Sequence, residues 1–343
     1  MKIASVGSTN AFFLFTTTVC LQLEPLLGEV QRNTDHANSM IAHLQPEDVD
    51  VLVLPEMAFT GYVFTSKDHI RPYLEDAETG PSVQWAKMQA TRLNAHVQVG
   101  YPEKRIINKA DQFHEEFYNS VCFVSPEGKV LTTYAKHFLY YTDENWAEEG
   151  PSFQSLPVEG LGQVGFGICM DVNPYQFKAP FAAFEFSNYH LSQKTNLVLC
   201  SMAWNKGEEA PKKEKVEPKP KSAKSKARAD KAAESAGLAA GDEDEESDDD
   251  WEDEEDEEEL ERQALELQYD TINYWAVRMN PFYSQTQVPS QETIMVVANR
   301  IGTEAGNLFV GSSCVLKLGK SGPMLLAGLP SDKEGVLQAE INL

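Results

Sequence analysis

Apolar positions along this chain keep switching between two periods. Val30, Thr34, Ala37, Ile41 and Leu44 recur at helical spacing. Val51 to Leu54 then form a continuous apolar run, as a strand buried on both faces requires. The alternation predicts a helix after Pro81 and strands near 96–101, 118–125 and 129–134, with Pro126-Glu127-Gly128 as the turn between the last two. A strand over 163–168 leads into a turn at Cys169, a helix covers much of 176–193, and 196–201 reads as another strand. A helix near 263–279 and strands near 293–299, 307–318 and 335–341 complete the pattern. Strands and helices interleaved in this way predict an α/β domain.

The first twenty residues break the rule. MKIASV reads as a strand, and CLQLEPLLGEV reads as a strand ending in a turn. GSTNAFFLFTTTV between them fits neither a loop nor a capped helix, so 7–18 is expected to be an insertion at the first strand or an imperfect gene model. A signal peptide is disfavoured by the single Lys2 and the lack of a small-residue cleavage site.

Charge changes the picture in one place. The formal net charge is −24, yet 17 of the 20 residues from Asp242 to Glu261 are acidic, so most of it is local. Just upstream, Lys212 to Lys231 carries nine Lys/Arg against three acids. The block 206–262 has almost no core-forming residues and cannot offset the entropy of ordering, which predicts a disordered insertion between 1–205 and 263–343. Its KPKSAKSKAR stretch also reads as a nuclear address. The five cysteines are scattered, with no CxxC pair, which argues against a disulfide framework or zinc site and for a reducing compartment. No apolar run reaches the ~20 residues of a membrane span.

The candidate chemistry lies at three strand ends. Glu56 closes LVLPE, Lys136 follows VLTTYA, and Cys169 follows VGFGI. A carboxylate there either caps a turn or serves as a general base, and a strand-end lysine is either simply exposed or held over a developing negative charge. Cys169 is either a buried thiol or a nucleophile lifted by a sharp elbow, with the Met170 N–H free for an oxyanion. A helix N-terminus at the elbow would lower the thiol pKa. Cys200 is the rival thiol, without flanking glycines, and His137 permits a Cys–His reading that lacks a clear orienting partner.

LVLPEMAFTGY, YAKHFLYYTDENWAEEGPSF and VGFGICMDVNPYQF, in that order, resemble the carbon–nitrogen hydrolase (nitrilase) superfamily. FLYYTDENWAEEGPSF, CMDVNPYQF, SMAW and TINYWAVRMNPF look most like its protein N-terminal amidase branch. The resemblance implies an αββα sandwich with Glu56 as base, Lys136 as oxyanion cation and Cys169 as nucleophile. It implies a second glutamate after the lysine, best matched by Glu144, with Glu148 and Glu149 as competitors. It further implies deamidation of N-terminal Asn or Gln in proteins and peptides through a thioester, without metal or organic cofactor, in the cytoplasm with nuclear access as a second expectation. Asp171 is the expected partner of the substrate α-amino group, with Asp143 next, and Tyr62, Trp146, Tyr175 and Trp204 are expected pocket walls. Nucleic acid and membrane are not expected partners, whereas homodimers are common among the relatives. A small-amide hydrolase (ω-amidase or N-carbamoyl hydrolase) is the near alternative. A scaffold binding basic partners through the acidic insertion is the distant one.

Overall fold

Two apolar faces on nearly every central strand demand cover on both sides, and the computed structural model shows how each is covered. It describes residues 2–4, 13–109, 112–206, 269–284 and 292–343. The expected disordered insertion lies outside the described residues from 207 onward, as do positions 7–12 of the anomalous first segment. Residues Met1–Gly207 with Gln263–Leu343 form one unit, separate from Glu208–Arg262.

In chain order, the first half holds β1 (Lys2–Ala4), β2 (Phe13–Gln22), α1 (Val30–Met40), β3 (Val51–Val53), the short α2 (Lys67–Ile70), α3 (Pro81–Leu93), β4 (His96–Lys109), β5 (Gln112–Val124) and β6 (Val130–Ala135). Then come β7 (Gln154–Val158), β8 (Gly162–Ile168), α4 (Glu185–Ser192), β9 (Leu197–Met202), α5 (residues 269–278) and α6 (Pro281–Ser284). The chain closes with β10 (Thr293–Asn299), β11 (Ile301–Glu304), β12 (Asn307–Val310), β13 (Cys314–Leu318), β14 (Met324–Gly328) and β15 (Gly335–Asn342).

One sheet runs β1-β2-β3-β4-β5-β6, with β15 also paired to β2, and the other runs β14-β13-β10-β9-β8-β7. The pairs β2–β3, β3–β4, β8–β9 and β9–β10 are parallel. Successive side chains divide between the faces, as the strand period requires. Val51 and Val53 face the second sheet, joining Phe123, Phe166 and Ile168 in one core, and the Phe123 and Phe166 rings lie 5.3 Å apart. Leu52 and Leu54 face the opposite way, against Ala37 of α1, Ile41 just after it, and Val83, Ala86 and Ala90 of α3. On the outer side of the second sheet, the positions of Gly165 and Gly167 are closely approached by His190 and Phe186 of α4. The result is an αββα sandwich. No described helix is long and apolar enough to cross a membrane.

Three local expectations need correction. The segment 7–18 is not wholly an insertion, because residues 13–18 belong to β2, and Thr16, Thr17 and Thr18 are buried there. β-Branched threonines suit this central position, and Thr18 also bonds the Ala339 carbonyl of β15. The expected helix over 176–193 is broken: Gln176, Phe177 and Phe184 have positive φ, and only Glu185–Ser192 is α-helical. The strand over 307–318 divides at Gly311 and Ser312, both with positive φ, so that β12 pairs with β11 while β13 joins the second sheet.

Candidate active site

Glu56, Lys136 and Cys169 come from the ends of β3, β6 and β8 and meet where the two sheets abut. Glu56 and Lys136 have no solvent exposure, and Cys169 retains 7%. Each position has a local cause. After β3 the chain crosses β4 at Gly100, where an added Cβ would lie 2.6 Å from the Pro55 carbonyl and 2.7 Å from Glu56 Cα. Only glycine lets the loop carrying Glu56 settle this close. Lys136 is aligned by its N–H, which donates to the Asn119 carbonyl at 2.8 Å. Cys169 has φ +39° and opens a single 3-10 turn, Cys169–Val172.

The polar groups form one connected set. Lys136 Nζ donates to Glu56 Oε1 at 2.7 Å and to Asp143 Oδ2 at 2.6 Å. Asn119 Nδ2 bridges the same two carboxylates, at 2.6 Å to Glu56 Oε1 and 3.0 Å to Asp143 Oδ1. The Ala203 N–H donates to Glu56 Oε2 at 2.7 Å. Lys136 Nζ lies 5.7 Å from the centre of the Tyr62 ring.

Burial and charge act against each other here. Burial pushes the Glu56 carboxyl up, with Lys136 pulling it down and Asp143 adding to the rise. For Lys136, burial opposes the charge, but Asp143 and Glu56 more than offset it and hold the ammonium above its usual range. The Cys169 thiol is pushed well up, first by burial and then by Glu56, while Lys136 and the Ala203 N–H pull it down. The expected lowering by a helix N-terminus is therefore not seen, since a four-residue 3-10 turn supplies little dipole against these forces. The resting site holds a neutral thiol beside a proton-hungry carboxylate and a fixed cation. A thiol in that setting becomes nucleophilic as its proton leaves for the carboxylate.

A cavity of about 280 Å³ opens onto Cys169. It is lined by Met170 and Trp204, together with Tyr140, Asn173, Phe177, Ala203, Asn205, Lys206 and Tyr274. Tyr62 and Trp146 do not line it; both are buried in a separate apolar cluster behind the lysine. Tyr175 also lies outside the lining and donates its hydroxyl to Glu149. Glu144, expected beside the lysine, is exposed, as are Glu148 and Glu149, and Asp143 takes that place. Asp171 is not available to a substrate amine. Its carboxylate is fully buried and accepts from Tyr134 Oη, Ile168 N, Phe138 N and His137 N. His137 bonds the Gly150 carbonyl through Nδ1 and packs on Phe153, away from the thiol's partners. Cys200 is fully buried in the core, and burial pushes its thiol up. Among the described residues no group of three or more His, Cys, Asp or Glu could hold a metal ion.

Sequence reasoning passed over Asn119 and the Ala203 N–H. Asn119 had a signal: an amide in the middle of the apolar strand FYNSVCFV is depleted unless it has a buried partner. The backbone donor had none.

Residues 18–177 match the carbon-nitrogen hydrolase family. The protein N-terminal amidase of Schizosaccharomyces pombe is 29% identical over 338 residues, covering 94% of this chain and 98% of that one. That of Saccharomyces cerevisiae is 33% identical over 209 residues, 54% of this chain and 44% of the relative. A crystal structure of an N-terminal amidase with an Asn-Glu-Ala peptide superposes with TM-score 0.70 at 22% identity, covering 96% of this chain and 98% of that chain. The sandwich and the three strand ends agree with these likenesses to carbon–nitrogen hydrolases.

Proposed function

We propose that this protein is an N-terminal amidase, hydrolysing the side-chain carboxamide of an N-terminal Asn or Gln to Asp or Glu with release of ammonia. The observation that carries it is that Cys169 meets the cavity while Glu56 and Lys136 stand sealed behind it. The likeness to N-terminal amidases over nearly the full chain supports the choice of substrate. In this reading Cys169 attacks the carboxamide carbon while Glu56 takes the thiol proton. Lys136 Nζ and the Met170 N–H hold the oxyanion. Glu56 returns the proton to the leaving nitrogen, ammonia departs, and Glu56 then activates water to hydrolyse the thioester. Asp143 keeps Lys136 charged and in place, and no metal or organic cofactor takes part in these steps. The product carries an acidic N-terminal residue, which suits a role in marking cytoplasmic proteins for degradation.

The test is ammonia release from short Asn- and Gln-initiated peptides, set against N-acetylated copies and free glutamine. Release is expected from the free-amine peptides alone, falling at least about a thousandfold in Cys169→Ala. Release from free glutamine but from neither peptide would move the substrate to a small amide.

A further inference from the structure

The proposed substrate brings a positive charge into the cavity, because an α-amino group with pKa about 8 is largely protonated near neutrality. A carboxylate would be the ordinary partner, yet among the described lining residues none is acidic. The nearby acids are already engaged: Glu56 and Asp143 hold Lys136, and Asp171 is enclosed by four donors. What the cavity offers instead is aromatic surface. Tyr140, Phe177, Trp204 and Tyr274 all line it. The Trp204 and Tyr274 rings lie 5.5 Å apart and tilted by 51°, and the Tyr140 and Phe177 rings 6.2 Å apart and nearly perpendicular, at 83°. Tyr274 is held in place by its hydroxyl, which donates to Asn173 Oδ1 at 2.6 Å.

Resting on the N-terminal amidase reading, we propose that the wall formed by Tyr140, Phe177, Trp204 and Tyr274 is the subsite for the substrate's α-ammonium group, held by cation–π attraction. Aromatic faces attract a cation within about 6 Å of the ring centre, most strongly when both are shielded from water. They do so without a formal charge. A carboxylate in the same place would add a further negative charge beside Cys169, which already faces Glu56, and would oppose formation of the thiolate. Lys206, the one charged side chain in the described lining, is exposed and positive, so it cannot supply the attraction.

The experiment compares an Asn-initiated peptide with its desamino counterpart, the same chain with hydrogen in place of the α-amino group, using the full-length protein. Wild type is expected to prefer the amine peptide in kcat/KM by at least about tenfold. Trp204→Leu and Tyr274→Leu should each remove most of that preference, chiefly through KM, while Tyr274→Phe restores it because the ring face remains. The desamino peptide serves as the internal control for an intact triad. Turnover of both peptides with the preference unchanged in the two leucine variants overturns the aromatic subsite alone. A wild-type preference for the desamino peptide also overturns it, since the positive Lys206 would then dominate the cavity. Turnover of neither peptide by wild type overturns the N-terminal amidase reading and the subsite with it.

Discussion

Asp143 decides how the buried ammonium is held. Lys136 is fully enclosed, and a lone charge in that position would cost several kcal/mol, so its two carboxylate partners are what keep it ionised. Asp143→Asn keeps the shape and removes one of them. Activity is expected to fall about a hundredfold, whereas Glu144→Gln should change it less than about twofold, with circular dichroism checking that both variants fold. Steady-state ammonia release reads the difference, and equal losses would return the orienting role to Glu144. The sequence pattern made Glu56, Lys136 and Cys169 legible, because each ends an apolar run. Within TDENW it favoured Glu144 beside the lysine, where the structure places Asp143. A one-residue choice there depends on the 3-10 turn Asp143–Asn145, whose first residue is turned inward and whose second is exposed.

At the scale of elements, Asp171 is a clasp. Its Oδ1 accepts from His137 N and Phe138 N, just after β6, and its Oδ2 accepts from Ile168 N at the end of β8 and from the Tyr134 hydroxyl. The strand ends that present Lys136 and Cys169 are thereby fixed to each other. An asparagine has one acceptor oxygen and cannot satisfy four donors. Asp171→Asn is expected to lose about 3 kcal/mol of stability, read by chemical denaturation. No loss would remove the clasp. The sequence shows why this was missed: in CMDVN an aspartate two residues past the thiol looks like a ligand for substrate, and only the backbone path shows that its donors are internal. The strands themselves were legible because both faces are buried and the runs are long. The region 176–193 was not, since its apolar periodicity says helix while Pro174 and Pro180, together with left-handed residues, break it.

For the whole molecule, buried acids set the response to pH. Burial pushes the Glu75 carboxyl up to about 7, with its hydrogen bonds from Ser82 pulling only partly the other way. Glu56 and Asp171 are raised by burial in the same sense. A carboxyl that holds its proton longer folded than unfolded stabilises the fold at low pH and loses that contribution as pH rises. For Glu75 the window runs from about 4.5 to about 7 and amounts to about 3 kcal/mol. Thermal unfolding should therefore start lower at pH 8 than at pH 5, and Glu75→Gln should flatten that slope. An identical slope in the variant would assign the effect elsewhere. The exposure of Cys169 alone among the three strand-end groups has a consequence for traffic. On the thioester route, the peptide enters through the described cavity, ammonia must leave past the bound acyl chain, and only then can water come in. With the described cavity as the door, the reaction is a queue. Whatever crowds that door slows the second half of the cycle first, so that a sluggish substrate leaves the enzyme acylated rather than empty.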